Sequence, residues 1–158
     1  MRGKARNYKK NQIEPDPKYN STQVAKFINQ LMRRGKKSTA QKIVYAAFAI
    51  CEVKLKKPAV DIFETAISNS CPQLEVRSRR IGGATYQVPM EVKRDRQQTL
   101  AMRWIIQAAR DRQGSQMADY LAQELMDAAQ NIGAAVKKKQ EMHKLAEVNR
   151  AFAHYARL

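Results

Sequence analysis

The chain has 158 residues and carries 30 Lys and Arg against 14 Asp and Glu, a formal net charge of +16. With 44% hydrophobic residues it can fill a core, which excludes wholesale disorder, and its length suits one domain. No apolar run approaches the roughly 20 residues of a membrane-spanning helix, and residues 1–10 have no apolar stretch behind their charges, so neither a membrane protein nor a secretory signal is expected.

After the loop Glu14-Pro15-Asp16-Pro17, Asn20 or Ser21 can cap a helix with the apolar stripe Val24, Phe27, Ile28, Leu31 and Met32, which Gly35 stops. A second helix from about Ser38 puts Ala40, Ile43, Val44, Ala47, Phe48 and Cys51 on one face and must end before Pro58. Pro58 reads as the first residue of a third, with Ile62, Phe63, Ala66 and Ile67 inward, closed by Asn69 and Pro72. From Leu74 the period drops to two, with Leu74 and Val76 on one side and Glu75, Arg77 and Arg79 on the other. Alternation resumes after Gly82-Gly83 through Tyr86, Val88, Met90 and Val92, which predicts a β-hairpin with a glycine tip. Pro89 lacks one ladder donor, so its strand should be an edge. A lone hairpin is barely stable in water, so this arm needs helices at its base or a partner.

Asp95 can cap a fourth helix carrying Leu100, Ala101, Trp104, Ile105 and Ala108, with Gly114 as its terminator. Ser115 starts a fifth with Ala118, Leu121, Leu125, Ala128, Ala129 and Ile132, ending near Gly133. A sixth from about Ala135 carries Met142, Leu145 and Ala146, and its weaker amphipathicity leaves its far end open. The expectation is a mainly α single domain over residues 1–158, about six helices with one projecting β-hairpin arm at 74–92. Within it, residues 1–14 are expected to form a basic tail and residues 148–158 a C-terminal extension.

Charge is segregated along this framework. Residues 1–57 hold 15 basic and 3 acidic residues, a net of +12. Residues 58–75 and 113–136 contain no Lys or Arg and net −3 each. Between and after them, residues 76–112 net +6 and residues 137–158 net +4. A chain charged only for solubility mixes its signs more evenly. The basic parts therefore point to a polyanion, with nucleic acid the leading partner class, while helices three and five should face core, solvent or protein.

Arg77, Arg79 and Arg80 fall within four residues of the arm, where guanidinium forks can grip phosphates or stack on bases. Gly82 and Gly83 allow close backbone approach to a sugar-phosphate chain. The plainer alternative is a solvated edge strand protected from aggregation by its charge. Arg96, Arg103 and Arg110 recur every seven residues on helix four, and Lys93 and Arg94 extend that stripe to its start. Trp104, inside an apolar stripe, reads as core rather than a stacking platform. Arg2, Lys4, Arg6, Lys9 and Lys10 make the tail a polyphosphate-groove ligand or, more plainly, a solubilising tail. Gly35-Lys36-Lys37-Ser38 has the end of a phosphate-binding loop, but Gln30 stands where the upstream glycine belongs and a helix precedes it. Nucleotide binding of that type is rejected, and Lys36 and Lys37 at a helix start remain anion contacts.

Catalytic and metal chemistry find little support. Cys51 and Cys71 have no Cys-x-x-Cys spacing and His143 and His154 no metal-ligand spacing, so two reduced thiols and no zinc are expected. Asp61 and Glu64 share a helical face with no histidine placed beside them, and the two histidines read as RNA-facing or ordinary surface residues. A free-standing basic nuclease or a DNA-architectural protein is the rival class. A nuclease needs metal-holding carboxylates or a histidine pair inside the basic region, and the acids here cluster in the non-basic helices.

Pro15-Asp16-Pro17-Lys18-Tyr19-Asn20-Ser21, then Phe27-Ile28-Asn29 through Gly35-Lys36-Lys37, strongly resembles the family of small-subunit ribosomal protein seven. So do the block from Val76 through Arg77-Ser78-Arg79-Arg80-Ile81-Gly82-Gly83-Ala84 to Pro89, and Leu100-Ala101-Met102-Arg103-Trp104. The end, His143 to Tyr155, resembles the bacterial type, and the similarity covers essentially the whole chain. The resemblance implies six helices and a β-arm, no catalysis and no cofactor. It implies a primary binder of the 3′ major domain of the small-subunit rRNA that nucleates assembly of the head in the cytoplasm. It further implies an arm at the subunit interface near exit-site tRNA and mRNA, with small-subunit ribosomal proteins nine and eleven as neighbours. By motif, Lys36, Lys37, Arg77, Arg79, Arg80, Arg94, Arg96, Arg103 and the basic tail are rRNA candidates, and the helix-four stripe adds Lys93 and Arg110. Ile81, Gly82, Gly83, Ala84, Arg150 and His154 are the tRNA- and mRNA-side candidates.

Overall fold

The computed structural model describes residues 12–157; Arg2, Lys4, Arg6, Lys9 and Lys10 lie outside them. Six α-helices and one two-stranded antiparallel sheet follow in the order α1 (Thr22–Leu31), α2 (Lys37–Leu55), α3 (Ala59–Ser70), β1 (Leu74–Ile81), β2 (Ala84–Glu91), α4 (Arg94–Asp111), α5 (Met117–Ala129) and α6 (Ala134–Val148). A 3₁₀ helix, Arg150–Arg157, closes the described chain. The expected mainly α architecture with one hairpin is what forms, and the open question of the far end resolves into that 3₁₀ turn.

Helix α5 sits at the centre, packed against α2, α3, α4 and α6. Leu121, Ala122, Leu125 and Ala128 are buried along it, so the non-basic fifth helix does face the core. Around it, Phe27, Phe48 and Phe63 bring α1, α2 and α3 together, with ring centroids 5.1 Å (Phe27–Phe63) and 5.5 Å (Phe48–Phe63) apart. Cys51 lies in the same core and donates to the Ala122 carbonyl at 3.5 Å. Burial pushes its thiol up to about 11, so it is an inert apolar filler rather than a nucleophile. On α3, Asp61 and Glu64 remain exposed.

Several boundaries differ from the sequence expectation, each for a local reason. Helix α4 is not capped by Asp95: it starts at Arg94 behind an extended Lys93, and Asp95 lies in the first turn, where a negative charge favours the helix dipole. It also ends at Asp111, short of Gly114, because Arg112 turns out of the helix towards the carboxylates of α5. Helix α5 begins at Met117, and Ser115, placed just outside it, bonds the Asp119 carboxylate at 2.6 Å. Ile132 is not part of the α5 face: the helix stops at Ala129, Asn131 takes φ +61°, and Ile132 is left 54% exposed. Leu145 likewise points outward, since α6 buries Ala135, Val136 and Ala146 instead. On α4 the buried set is Leu100, Ala101, Met102, Ile105, Ile106 and Ala109, wider than one stripe because α1, α3, α5 and α6 all pack on it. Trp104 is only partly buried against the core edge.

Two buried carboxylates hold the ends of the fold in place. Asp16 accepts the Lys18 and Tyr19 amides at 3.1 and 3.2 Å, and the Tyr45 hydroxyl donates to it at 2.8 Å. Burial, seconded by that carboxylate, raises the Tyr45 pKa. The Pro15–Ser21 loop is thereby stapled onto α2, and Ser21 then accepts the Val24 amide as the α1 cap. Tyr45→Phe removes the donor to a nearly buried carboxylate and is expected to cost about 1.5–3 kcal/mol in urea denaturation, with the midpoint moving and the slope unchanged.

The second carboxylate, Glu124, is fully buried. One oxygen accepts the Ala135 amide at 2.9 Å in the first turn of α6, and the other takes Arg112 Nη2 at 2.7 Å. Arg112 also reaches Asp127 at 3.1 Å. Burial works against the guanidinium charge, but these two carboxylates more than offset it, and the Arg112 pKa is raised. Gly133 closes the site: at φ +95° a Cβ would stand 3.1 Å from the Glu124 carboxylate and 3.0 Å from Asp127 Cβ.

Candidate nucleic-acid interface

The arm pairs Leu74 with Glu91 and runs in register to Ile81 opposite Ala84, leaving Gly82 and Gly83 as the two-residue turn. Both glycines have positive φ, +57° and +89°, which gives the right-twisting turn that a two-residue hairpin prefers. Open space surrounds both, so the tip Ile81-Gly82-Gly83-Ala84 stands clear of the body. The base does not. Val88 is completely buried, α6 packs on both strands, and His143 of α6 accepts the Gln73 amide at 2.9 Å. His143 is therefore a partly exposed residue that tethers the hairpin root, and burial, with Lys139 close by, lowers its pKa, which favours the acceptor form.

Part-way along the arm, the 3₁₀ helix lies against β2. Tyr86 meets Phe152 and Tyr155, both at 5.3 Å between ring centroids. A spacing of three residues stacks side chains on a 3₁₀ helix, which repeats every three, so Phe152 and Tyr155 present one aromatic face to Tyr86. His154 and Arg150 are on exposed positions of the same turn. His154 Nδ1 is 2.9 Å from the Ala151 carbonyl, and Arg150 makes only an exposed pair with Glu147 at 3.3 Å. Arm and C-terminal segment thus form one continuous surface.

The arginines divide by partner. Glu75, nearly buried at the arm root, holds Arg77 through Nε at 2.6 Å and Arg96 through Nε at 3.4 Å. It fixes where the arm meets α4, and both guanidiniums keep about half their side-chain surface exposed. Arg110 is half-buried, and its Nη2 donates to the Leu31 carbonyl at the end of α1 at 3.1 Å. The heptad spacing thus places Arg96, Arg103 and Arg110 on α4 as expected, but only Arg103 is wholly exposed without a protein partner. Among the described residues, Lys36, Lys37, Arg79, Arg80, Lys93, Arg94 and Arg103 form no ion pair. All but Arg79 are exposed, and Arg79 is half-exposed.

Two further cations belong with them. Arg33 and Arg34 are exposed in the α1–α2 loop beside Lys36 and Lys37, with Arg34 at φ +52° and Gly35 at φ +73°. The charge run itself carried that signal. Neither Glu75 nor the aromatic seat of Tyr86 could be read from the sequence, because a buried glutamate in an alternating strand looks like an outward one.

An arm, a helix and a loop thus present cations without ion-pair partners on one body. A family model described as "Ribosomal protein S7p/S5e" matches residues 3–150. The chain belongs to the ribosomal protein S7p/S5e family. Relatives named small ribosomal subunit protein uS7 agree over most of their length. That of Roseiflexus castenholzii is 59% identical over 143 residues, 90% of this chain and 91% of the relative. That of Chloroflexus aurantiacus is 54% identical over 152 residues, covering 96% and 97%. The Xanthobacter autotrophicus protein is 55% identical over 144 residues, covering 91% and 92%. As a member of the S7p/S5e family the chain is a structural, RNA-binding component of the small ribosomal subunit and not an enzyme. Among the described residues no helix is long and apolar enough to cross a membrane.

Proposed function

We propose that this chain is a primary rRNA-binding protein of the small subunit, which binds the 3′ major domain and nucleates assembly of the head in the cytoplasm. The observation that carries this reading is the set of unpaired, exposed cations on three separate elements: the α1–α2 loop, the arm and the exposed side of α4. Elements fixed to one rigid core at different angles can neutralise phosphates of several RNA helices at once and so set the angles between them. A-form RNA closes its major groove to side chains, so shape and phosphate position are what such a surface reads. Arg2, Lys4, Arg6, Lys9 and Lys10 extend the same reading along the tail.

The arm tip and the exposed Arg150 and His154 form the tRNA- and mRNA-side surface of the proposal, with ribosomal proteins nine and eleven as neighbours. The tip is supported by its freedom from the body and by the aromatic seat that aims it. Deleting residues 79–84 tests this division. The shortened chain loses Arg79 and Arg80, so its salt slope should fall by about 2, but it is expected to bind a 3′ major-domain transcript and assemble heads nearly as the full chain does, while exit-site tRNA retention on the finished subunits changes. Failure of assembly would contradict the division of roles.

A further inference from the structure

Between the end of α1, the start of α2 and the last turns of α4 lies a cavity of about 310 Å³. Leu31, Ile43 and Met117 give it an apolar floor, Thr39 stands at its mouth, and Arg33, Lys36 and Arg110 line it with positive charge. Among the described residues no carboxylate lines it. Arg110 is committed on one side to the Leu31 carbonyl and half-buried there. Burial lowers its pKa, the neighbouring Arg33 charge pushes the same way, and both cations line this one cavity.

Like charges drawn together over an apolar floor fit an occupant with an anionic end and a flat apolar body. Inorganic phosphate would answer the guanidiniums but leave the floor bare. A hydrocarbon would cover the floor but leave the cations unanswered. A nucleotide does both, and the cavity is at the small end of the range for small-molecule pockets, which begins at about 300 Å³. Unpaired bases splayed from a structured RNA are also the part of RNA that proteins read by contact rather than by shape.

We propose that this cavity receives one unpaired nucleotide of the bound RNA, its base against Ile43 and Met117 and its phosphate among Arg33, Lys36 and Arg110. The proposal rests on the rRNA-binding reading and adds to it a single point of contact with a base. Thr39→Trp fills the mouth from an exposed position, leaves every cation in place and should not disturb the core. Its affinity for a 3′ major-domain transcript is expected to fall about tenfold or more, the scale of one stacked base, with the salt slope unchanged. Thr39→Val, and Thr65→Trp on exposed α3, should bind within about twofold of the parent, a margin well inside one stacked base. Arg33→Gln should instead reduce the salt slope by about 1. Parent-like binding by Thr39→Trp overturns the proposal, as does an equal loss in Thr65→Trp. Saturable, Thr39→Trp-sensitive binding of free guanosine or adenosine monophosphate to the RNA-free chain would reassign the cavity to a soluble nucleotide and also overturn it. If the parent chain binds no transcript at all, the rRNA reading itself fails and takes this one with it.

Discussion

Replacing Glu124 by alanine is expected to destabilise the protein by about 3–5 kcal/mol, the range for leaving one partner of a buried ion pair uncompensated. The change removes the acceptor for the Ala135 amide at the start of α6 and the closer of the two Arg112 contacts. Domains of this size have total stabilities of about 5–15 kcal/mol, so the loss is a large share. It corresponds to a fall of roughly 6–20 °C in Tm. Glu124→Gln keeps an oxygen for Ala135 and should cost less, about 1–3 kcal/mol. The decisive measurement is a double-mutant cycle: Arg112→Met with Glu124→Met should be less destabilised than the sum of the single changes, since neither charge is then stranded. Simple additivity in urea unfolding would show that the pair is not coupled. Because α4, α5 and α6 meet at this site, the loss should appear as global unfolding rather than fraying of α6.

The largest effect on binding should come from salt. Among the described residues, nine exposed or half-exposed cations without an ion-pair partner, Arg33, Arg34, Lys36, Lys37, Arg79, Arg80, Lys93, Arg94 and Arg103, are available to displace counterions from RNA. At roughly 0.7–0.9 counterions released per phosphate, log affinity should fall with log salt at a slope of about −6 to −8. Between about 50 and 200 mM salt the transcript should be bound on the order of 10⁴-fold more weakly. Filter binding across that range checks it, and a slope near zero would refute phosphate neutralisation as the source of affinity. Arg103→Gln should lower the slope by about 1. Arg112→Gln should leave the slope alone, because that guanidinium is spent on Glu124 and Asp127 inside the fold.

The contrast between Arg103 and Arg112 also marks how far the sequence can be read. Periodicity located the six α-helices, because apolar residues at i, i+3 and i+4 have one physical use in a domain of this size, but not the closing 3₁₀ helix. It identified the two-glycine tip, whose positive φ values few other residues accept without strain. Charge pattern found the basic segments but could not sort them. Arg96, Arg103 and Arg110 are equivalent by spacing, yet Glu75 takes the first and the Leu31 carbonyl the last. Those partners are 21 and 79 residues away in the chain, beyond any local rule. Glu75, on the same strand side as Arg77 and Arg79, and Glu124, one acid among the three of its segment, carried no local mark of burial for the same reason: only tertiary packing makes a carboxylate an anchor.

The seat of Tyr86 on Phe152 and Tyr155 also dictates an order in time. Tyr86 leaves a translating ribosome 69 residues before Tyr155. At about 5–20 residues per second the arm waits roughly 3–14 s for that cover. Through this interval β2 lacks the aromatic partners it rests on in the finished fold, and the two outer edges of the β1–β2 arm are open. Arg77, Arg79 and Arg80 on the adjoining strand then serve a second purpose, since charge on an edge strand repels the neighbouring chains that would otherwise pair with it. The charge that suits the arm to RNA also keeps the nascent chain soluble until its own C-terminal turn arrives.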